Sequence, residues 1–185
     1  MPGLGLHHLL VNARPWGPSP LLAAIESSLR AHGSRPIHVR WDRYEYEDGA
    51  HFTRRSHARF CAWVGRQLDP RARWLVLTDS TIGWHGAEAL CAALPAGSMV
   101  DAVNGSGFVA RASERLHLRA RLRAHPRGAY DKLLVIAGWN DEGLPHTDAA
   151  VRGVVRAWMA YRADASEPKH ASEAASNFVK VDKPK

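Results

Sequence analysis

Short apolar runs alternate along this chain with longer segments in which apolar residues recur every three or four positions. The runs lie at 6–12, 36–41, 73–77, 99–103 and 132–137, and each indicates a strand. The segments between them have the periodicity of amphipathic helices. Five strands that alternate with helices predict a parallel sheet covered on both faces, in a three-layer α/β/α domain.

Residues typical of helix ends support this division. Ser19 before Pro20 predicts a helix start, and Thr53 predicts another. We expect further helices over 86–94, over 111–124 and from Thr147 onward. The residues expected to face the core are Leu22, Ile25, Leu29, Phe60, Val64, Leu68, Val151, Val154, Val155 and Trp158.

The length and composition predict one domain, residues 1–163, followed by a polar tail. Before residue 164 the only lysine is Lys132, whereas residues 164–185 contain four lysines and no arginine. This change of composition predicts that 164–185 is flexible. Cys61 and Cys91 lie in apolar, helical surroundings and are expected to be buried free thiols.

Charge and hydropathy limit the classes of binding partner and the cellular location that the sequence favours. The net charge is +7, but the arginines are scattered through amphipathic segments without a basic run, which favours a solvated surface over a nucleic-acid site. No apolar run approaches the roughly 20 residues that span a bilayer. The N-terminus lacks the basic start of a secretory signal, which favours the cytoplasm and leaves a mature secreted form open.

Four polar loops follow predicted strands, at 48–51, 78–81, 104–107 and 138–141. In a parallel sheet the carboxyl ends of the strands meet at one edge, where ligands bind. Asp48 precedes His51 by three residues, a spacing that lets the carboxylate orient the imidazole as a base. Ser80 stands between a strand and a helix, where its hydroxyl is exposed. A surface pair and a helix cap are the alternative interpretations.

The other two loops carry further candidates, each of which a simple turn would also explain. Gly107, after Ser106, permits close approach of the backbone to a ligand, and Gly105 is the alternative position. Asn140 has a side-chain amide that can donate to an oxyanion. The histidines His7, His8, His146 and His170 have no spacing that predicts a metal site.

Taken together, VLTDST, VDAVNGSGF, VIAGWND and DGAHFT resemble the four sequence blocks of the SGNH (GDSL) hydrolases, over residues 6–162. The resemblance implies a serine esterase or acyltransferase with Ser80 as nucleophile, His51 as base and Asp48 as the orienting acid. It implies an oxyanion hole of Ser80, Gly107 and Asn140. The mechanism needs no metal or organic cofactor, and the substrate would be a small, lipid or carbohydrate ester.

Two departures from the family stand out. Thr78 replaces the glycine of the first block, and Asp48 and His51 come before Ser80 instead of after it. A circular permutation explains the order, because joining the last helix to the first strand restores it. With strands numbered along this chain, the flavodoxin-like sheet of the family then has the order 4-3-5-1-2. A fragment of a tandem array, with sites completed by exchange between chains in a domain-swapped dimer, is the alternative to a monomer.

Three tryptophans, Trp16, Trp84 and Trp139, flank these loops and are candidates for an acyl pocket, with core packing as the alternative. An inactive SGNH-like binding module is the first alternative to an esterase. A flavodoxin-like domain that binds nucleotides or nucleic acid through its arginines is the second.

Overall fold

The computed structural model describes residues 4–11, 20–47, 51–83, 86–108, 117–141 and 148–163. The strands are β1 (Leu6–Leu10), β2 (Arg35–Pro36), β3 (Trp74–Thr78), β4 (Met99–Ala102) and β5 (Lys132–Ala137). The helices are α1 (Pro20–Ala31), α2 (Arg54–Gln67), α3 (Ser80–Gly83), α4 (Ala87–Ala93), α5 (Leu118–Ala124) and α6 (Asp148–Ala163), with 3-10 turns at Trp41–Arg43 and Trp139–Asp141.

The five strands form one parallel sheet in the order β2-β1-β5-β3-β4. Read from the other edge, this is 4-3-5-1-2, so the predicted strand order is confirmed. The strand before the Asp48 loop lies at one edge, and β4 lies at the opposite one. At the centre, Val76 of β3 pairs with Leu134 of β5, and Val135 of β5 pairs with His8 of β1.

Helices cover both faces of the sheet, because successive side chains of a strand point to opposite sides. Leu75 and Leu77 of β3 belong to the core shared with α1, α5 and α6. Val76 points the other way, into the core shared with α2 and α4. The predicted inward-facing residues of the helices are buried, which confirms the three-layer α/β/α architecture.

The second strand is shorter than the predicted run of 36–41. After Ile37, whose amide donates to the His8 carbonyl oxygen at 2.8 Å, the chain leaves the sheet. Its apolar side chains pack on the outer core instead: the Trp41 ring stacks on Phe52 and on Phe60. Burial of these rings, and not strand pairing, therefore explains the apolar pattern of this segment.

Other predicted features have mixed outcomes. Thr53 caps α2, and its hydroxyl accepts a hydrogen bond from the Ser56 amide. Cys61 is buried, but the prediction for Cys91 is wrong: α4 turns Leu90 inward, so the next residue is exposed.

Residues 111–116, Thr147 and the tail 164–185 lie outside the described residues. None of the helices in the described ranges is long and apolar enough to cross a membrane.

Candidate active site at the carboxyl edge of the sheet

Three neighbouring strands, β5, β3 and β4, carry their polar loops to the same edge of the sheet. Ser80 follows β3, the loop of residues 103–108 follows β4, and the 3-10 turn Trp139–Asp141 follows β5. These are the loops in which the resemblance to SGNH hydrolases predicts a nucleophile and oxyanion-binding residues.

The Asn140 side chain connects all three loops. Its Nδ2 donates to the Ser106 carbonyl oxygen at 3.0 Å and to Asp79 Oδ2 at 3.2 Å. The carbonyl only accepts hydrogen bonds, so the amide must present its nitrogen here. Gly138, between β5 and the 3-10 turn, makes this change of chain direction possible. It has a φ of +131°, and a Cβ there would lie 2.9 Å from the Leu22 side chain.

Gly107 lies directly against the carboxylate of Asp141. A Cβ at this position would be 2.5 Å from Asp141 Oδ1, and the next amide, of Phe108, donates to Asp141 Oδ2 at 2.9 Å. Asp141 is fully buried. Gly105 has a different role, since its φ of +73° closes the preceding turn. Of the two candidate glycines, Gly107 is the one whose missing side chain lets the loops after β4 and β5 meet.

Asp79, beside the proposed nucleophile, is a buried carboxyl group. Its Oδ1 accepts a hydrogen bond from the Thr81 amide at 2.9 Å, which fixes the start of α3. Burial raises its pKa to about 6, and the nearby Asp141 adds to this, whereas the Thr81 bonds and Arg121 oppose it. Asp79 therefore titrates close to neutral pH.

Arg121 of α5 is buried next to these loops and links them by hydrogen bonds. One guanidinium nitrogen donates to the Thr78 carbonyl oxygen at 2.9 Å and to Ser106 Oγ at 2.8 Å. A second nitrogen donates to the backbone and the carboxylate of Asp101 in β4, and Nε donates to the same carboxylate. His125 lies 2.9 Å from the second oxygen of that carboxylate. The arginine thus fixes the end of β3, two residues before Ser80, relative to the Gly107 loop.

Ser80 and His51 are flanked by segments that pack on one another. His57 Nε2 donates to the Thr81 carbonyl oxygen at 2.7 Å, and the edge of its ring packs on Phe52 at 5.3 Å between centroids. His57 therefore contacts the residue after Ser80 and the residue after His51. These contacts do not involve the Ser80 hydroxyl or the His51 ring, so their pairing stays a prediction.

Most of the other predicted site residues lie outside the part of the chain that the structure describes. Asp48, Trp16 and Trp84 lie outside the described residues, as does the side chain of Trp139. His51 itself is described: it is partly exposed, and its carbonyl oxygen accepts a hydrogen bond from the Glu47 amide at 2.8 Å.

The structure adds four residues that the sequence did not single out for this site. In the sequence, Asp79 and Asp141 are recognisable only as members of the loops at 78–81 and 138–141. His57 and Arg121 stand inside amphipathic helices, at positions that their neighbours predict to be buried. A charged or polar residue on a predicted core face is a signal that could have identified both.

Comparisons of this chain with protein-family models, with curated proteins and with solved structures found no match.

Proposed function

We propose that this chain is a serine ester hydrolase of the SGNH type, with its sequence blocks in circularly permuted order. The observation that carries the proposal is the Asn140 amide, which joins the serine loop, the glycine loop and the G-x-N-D turn. In an SGNH site these three loops supply the nucleophile and the oxyanion hole. Gly107 packed against Asp141 supports the same assignment.

The position of the last helix supports the permuted order. Trp158 Nε1 of α6 donates to the Leu4 carbonyl oxygen at 2.9 Å, and Arg162 donates to the same oxygen at 3.1 Å. The end of α6 thus lies beside the start of β1. A short connection there would give the block order of the family, with Ser80 first and Asp48 and His51 last.

The first half of the reaction forms an acyl-enzyme. His51 takes the proton of the Ser80 hydroxyl as its oxygen attacks the ester carbonyl carbon, and Asp48 orients the imidazole. The carbonyl oxygen becomes an oxyanion, which the backbone amides of Ser80 and Gly107 and the Asn140 side chain stabilise. His51 then gives the proton to the leaving alcohol as the carbon–oxygen bond breaks.

The second half releases the acid. His51 takes a proton from a water molecule, whose oxygen attacks the acyl carbon, and returns the proton to Ser80 as the product leaves. An acceptor alcohol in place of water would make the reaction an acyl transfer. Both amide hydrogens of Asn140 have internal acceptors in the resting site, so one bond must exchange for the oxyanion. The longer bond, to Asp79 at 3.2 Å, is the one we expect to exchange.

A chromogenic short-acyl ester tests this function. The wild type should hydrolyse it, and Ser80→Ala or His51→Ala should reduce kcat by several orders of magnitude. Asn140→Ala, which removes a single oxyanion donor, should cost on the order of 100–1000-fold.

Ser27→Ala and His38→Ala are matched controls, because both residues are exposed and neither belongs to the proposed site. Neither should change the rate. Hydrolysis that persists in Ser80→Ala would remove the nucleophile from the proposal. A folded wild type without activity on a panel of acetyl, butyryl and longer acyl esters would favour the alternative of an inactive binding module.

A further inference from the structure

A groove of about 600 Å³ runs between α5 and α6 on the outer surface of the domain. Gly153, Ala157 and Ala160 of α6 line it, and their small side chains leave the space between the two helices. The groove extends from Arg119 and Ala149, near the first turns of the helices, to Arg127 and Tyr161 at their far ends. None of its described lining residues belongs to the loops that carry Ser80 and Asn140.

Arginines form both walls of this groove. Arg119 and Arg123 of α5, with Arg127 after it, line one side, and Arg152 and Arg156 of α6 line the other. All five are exposed. In each helix the two arginines are four residues apart, so their side chains project from the same face at intervals of about 6 Å.

Arginine dominates the charge of the described lining. No acidic side chain is among the described residues that line the groove, and Arg152 pairs at 2.5 Å with Asp148 beside it. Like charges four residues apart on a helix repel each other and destabilise the helix. A ligand with regularly spaced negative charges would remove this repulsion. The sequence analysis favoured a solvated surface because these arginines are dispersed over 38 positions, and only the packing of α5 on α6 brings them together.

We propose that this groove binds a single strand of nucleic acid through its phosphates. Arginine suits phosphate because its planar guanidinium can donate two parallel hydrogen bonds to it. Packed helices lie about 8–10 Å apart, so one strand between them contacts both rows, whereas a duplex would contact only the rims. Among the described residues that line the groove, Tyr161 is the one Phe, Tyr or Trp, and it is buried. Binding therefore uses the backbone and not base stacking, and is independent of base sequence.

Fluorescence anisotropy with dye-labelled oligonucleotides tests this proposal on the full chain. For single strands, the logarithm of the association constant falls with the logarithm of salt concentration by about 0.7 for each phosphate neutralised. Five arginines set an upper limit of about 3.5 for this slope. The double variant Arg152→Gln/Arg156→Gln should lower it by about 1.4, which weakens binding on the order of 20-fold at 0.1 M salt relative to 1 M.

Arg55→Gln/Arg59→Gln is the matched control, because it removes the same charge from two exposed arginines four residues apart on α2, across the sheet. It should leave the slope within 0.3 of the wild type, and Ser80→Ala should leave it unchanged. Oligo-dT, oligo-dC and oligo-rU should bind alike, and a duplex more weakly.

Equal losses in the two double variants would overturn the proposal, since they would show that the α5–α6 groove is not the preferred site of binding. Tighter binding of the duplex, or binding of inorganic polyphosphate without binding of any oligonucleotide, would also overturn it. Arg119→Gln/Arg123→Gln, on the other wall, gives a second measure and should match the α6 variant.

Discussion

Trp158 Nε1 donates to the carbonyl oxygen of Leu4 at 2.9 Å, so α6, the last helix in the described ranges, is bonded to the chain two residues before β1. Arg162 strengthens this junction with a second bond to the same oxygen. A chain could therefore pass directly from α6 into β1. The proposed circular permutation requires such a junction.

A rearranged protein tests this junction. In the order 71–163, a short Gly/Ser linker, then 4–70, Ser80 precedes Asp48 and His51. The new ends lie in the exposed turn at Pro70 and Arg71, where few contacts are lost. We expect the circular dichroism spectrum of the parent protein and esterase activity within about tenfold of it, because every strand pair is kept.

A permutant opened between Ala62 and Trp63, within α2, is the control and should fail to fold, because its ends interrupt a helix that packs on the core. Failure of both permutants to fold would contradict a close junction between α6 and β1.

Gly107→Ala tests the contact with Asp141. The added Cβ would lie 2.5 Å from a buried carboxylate oxygen, so the loops after β4 and β5 must separate. We expect a loss of about 1–3 kcal/mol in the free energy of unfolding, measured by urea denaturation, and a much larger relative loss of kcat. Gly153→Ala in α6 is the control: its nearest neighbour is the flexible Arg119 side chain, and helix propensity predicts a gain of up to about 1 kcal/mol. Equal stability of Gly107→Ala and the wild type would refute the tight contact.

Asp79→Asn tests the buried carboxyl group. Its pKa rises from 3.8 in the unfolded chain to about 6 in the fold, so the folded state binds the proton more tightly. The contribution of Asp79 to stability is therefore greatest below pH 4 and falls as the pH rises to 6, by about 3 kcal/mol. The free energy of unfolding of Asp79→Asn, relative to the wild type, should increase over this interval. A difference that stays constant between pH 4 and 7 would contradict the raised pKa.

Arg121→Met tests the buried guanidinium. It leaves the Asp101 carboxylate without its arginine partner and removes the bonds to Thr78 and Ser106. Loss of one partner of a buried ion pair costs about 3–5 kcal/mol. Arg123→Met, exposed two residues later, should change the free energy of unfolding by less than about 0.5 kcal/mol. Similar free energies of unfolding for the two variants would show that the Arg121 hydrogen bonds contribute little to stability.

The sequence predicted the layers and the strand order of this fold, the order through the resemblance to a permuted SGNH sheet. It predicted a longer β2 than the structure has, because Trp41 has the apolar character of a strand residue but packs on Phe60. The loops of Ser80, Gly107 and Asn140 were predictable, since each follows a buried strand. The hydrogen bonds that hold these loops in position were not predictable, because those of Arg121 join residues up to 43 positions apart. The α5–α6 groove likewise depends on how two helices pack.

The central claim, that Ser80 is an activated nucleophile, is tested most directly by a fluorophosphonate probe and mass spectrometry of the labelled peptide. We expect one adduct per folded chain on Ser80, absent from Ser80→Ala and formed far more slowly in His51→Ala. A folded wild type that takes up no probe, or an adduct on another residue that persists in Ser80→Ala, would contradict the esterase assignment.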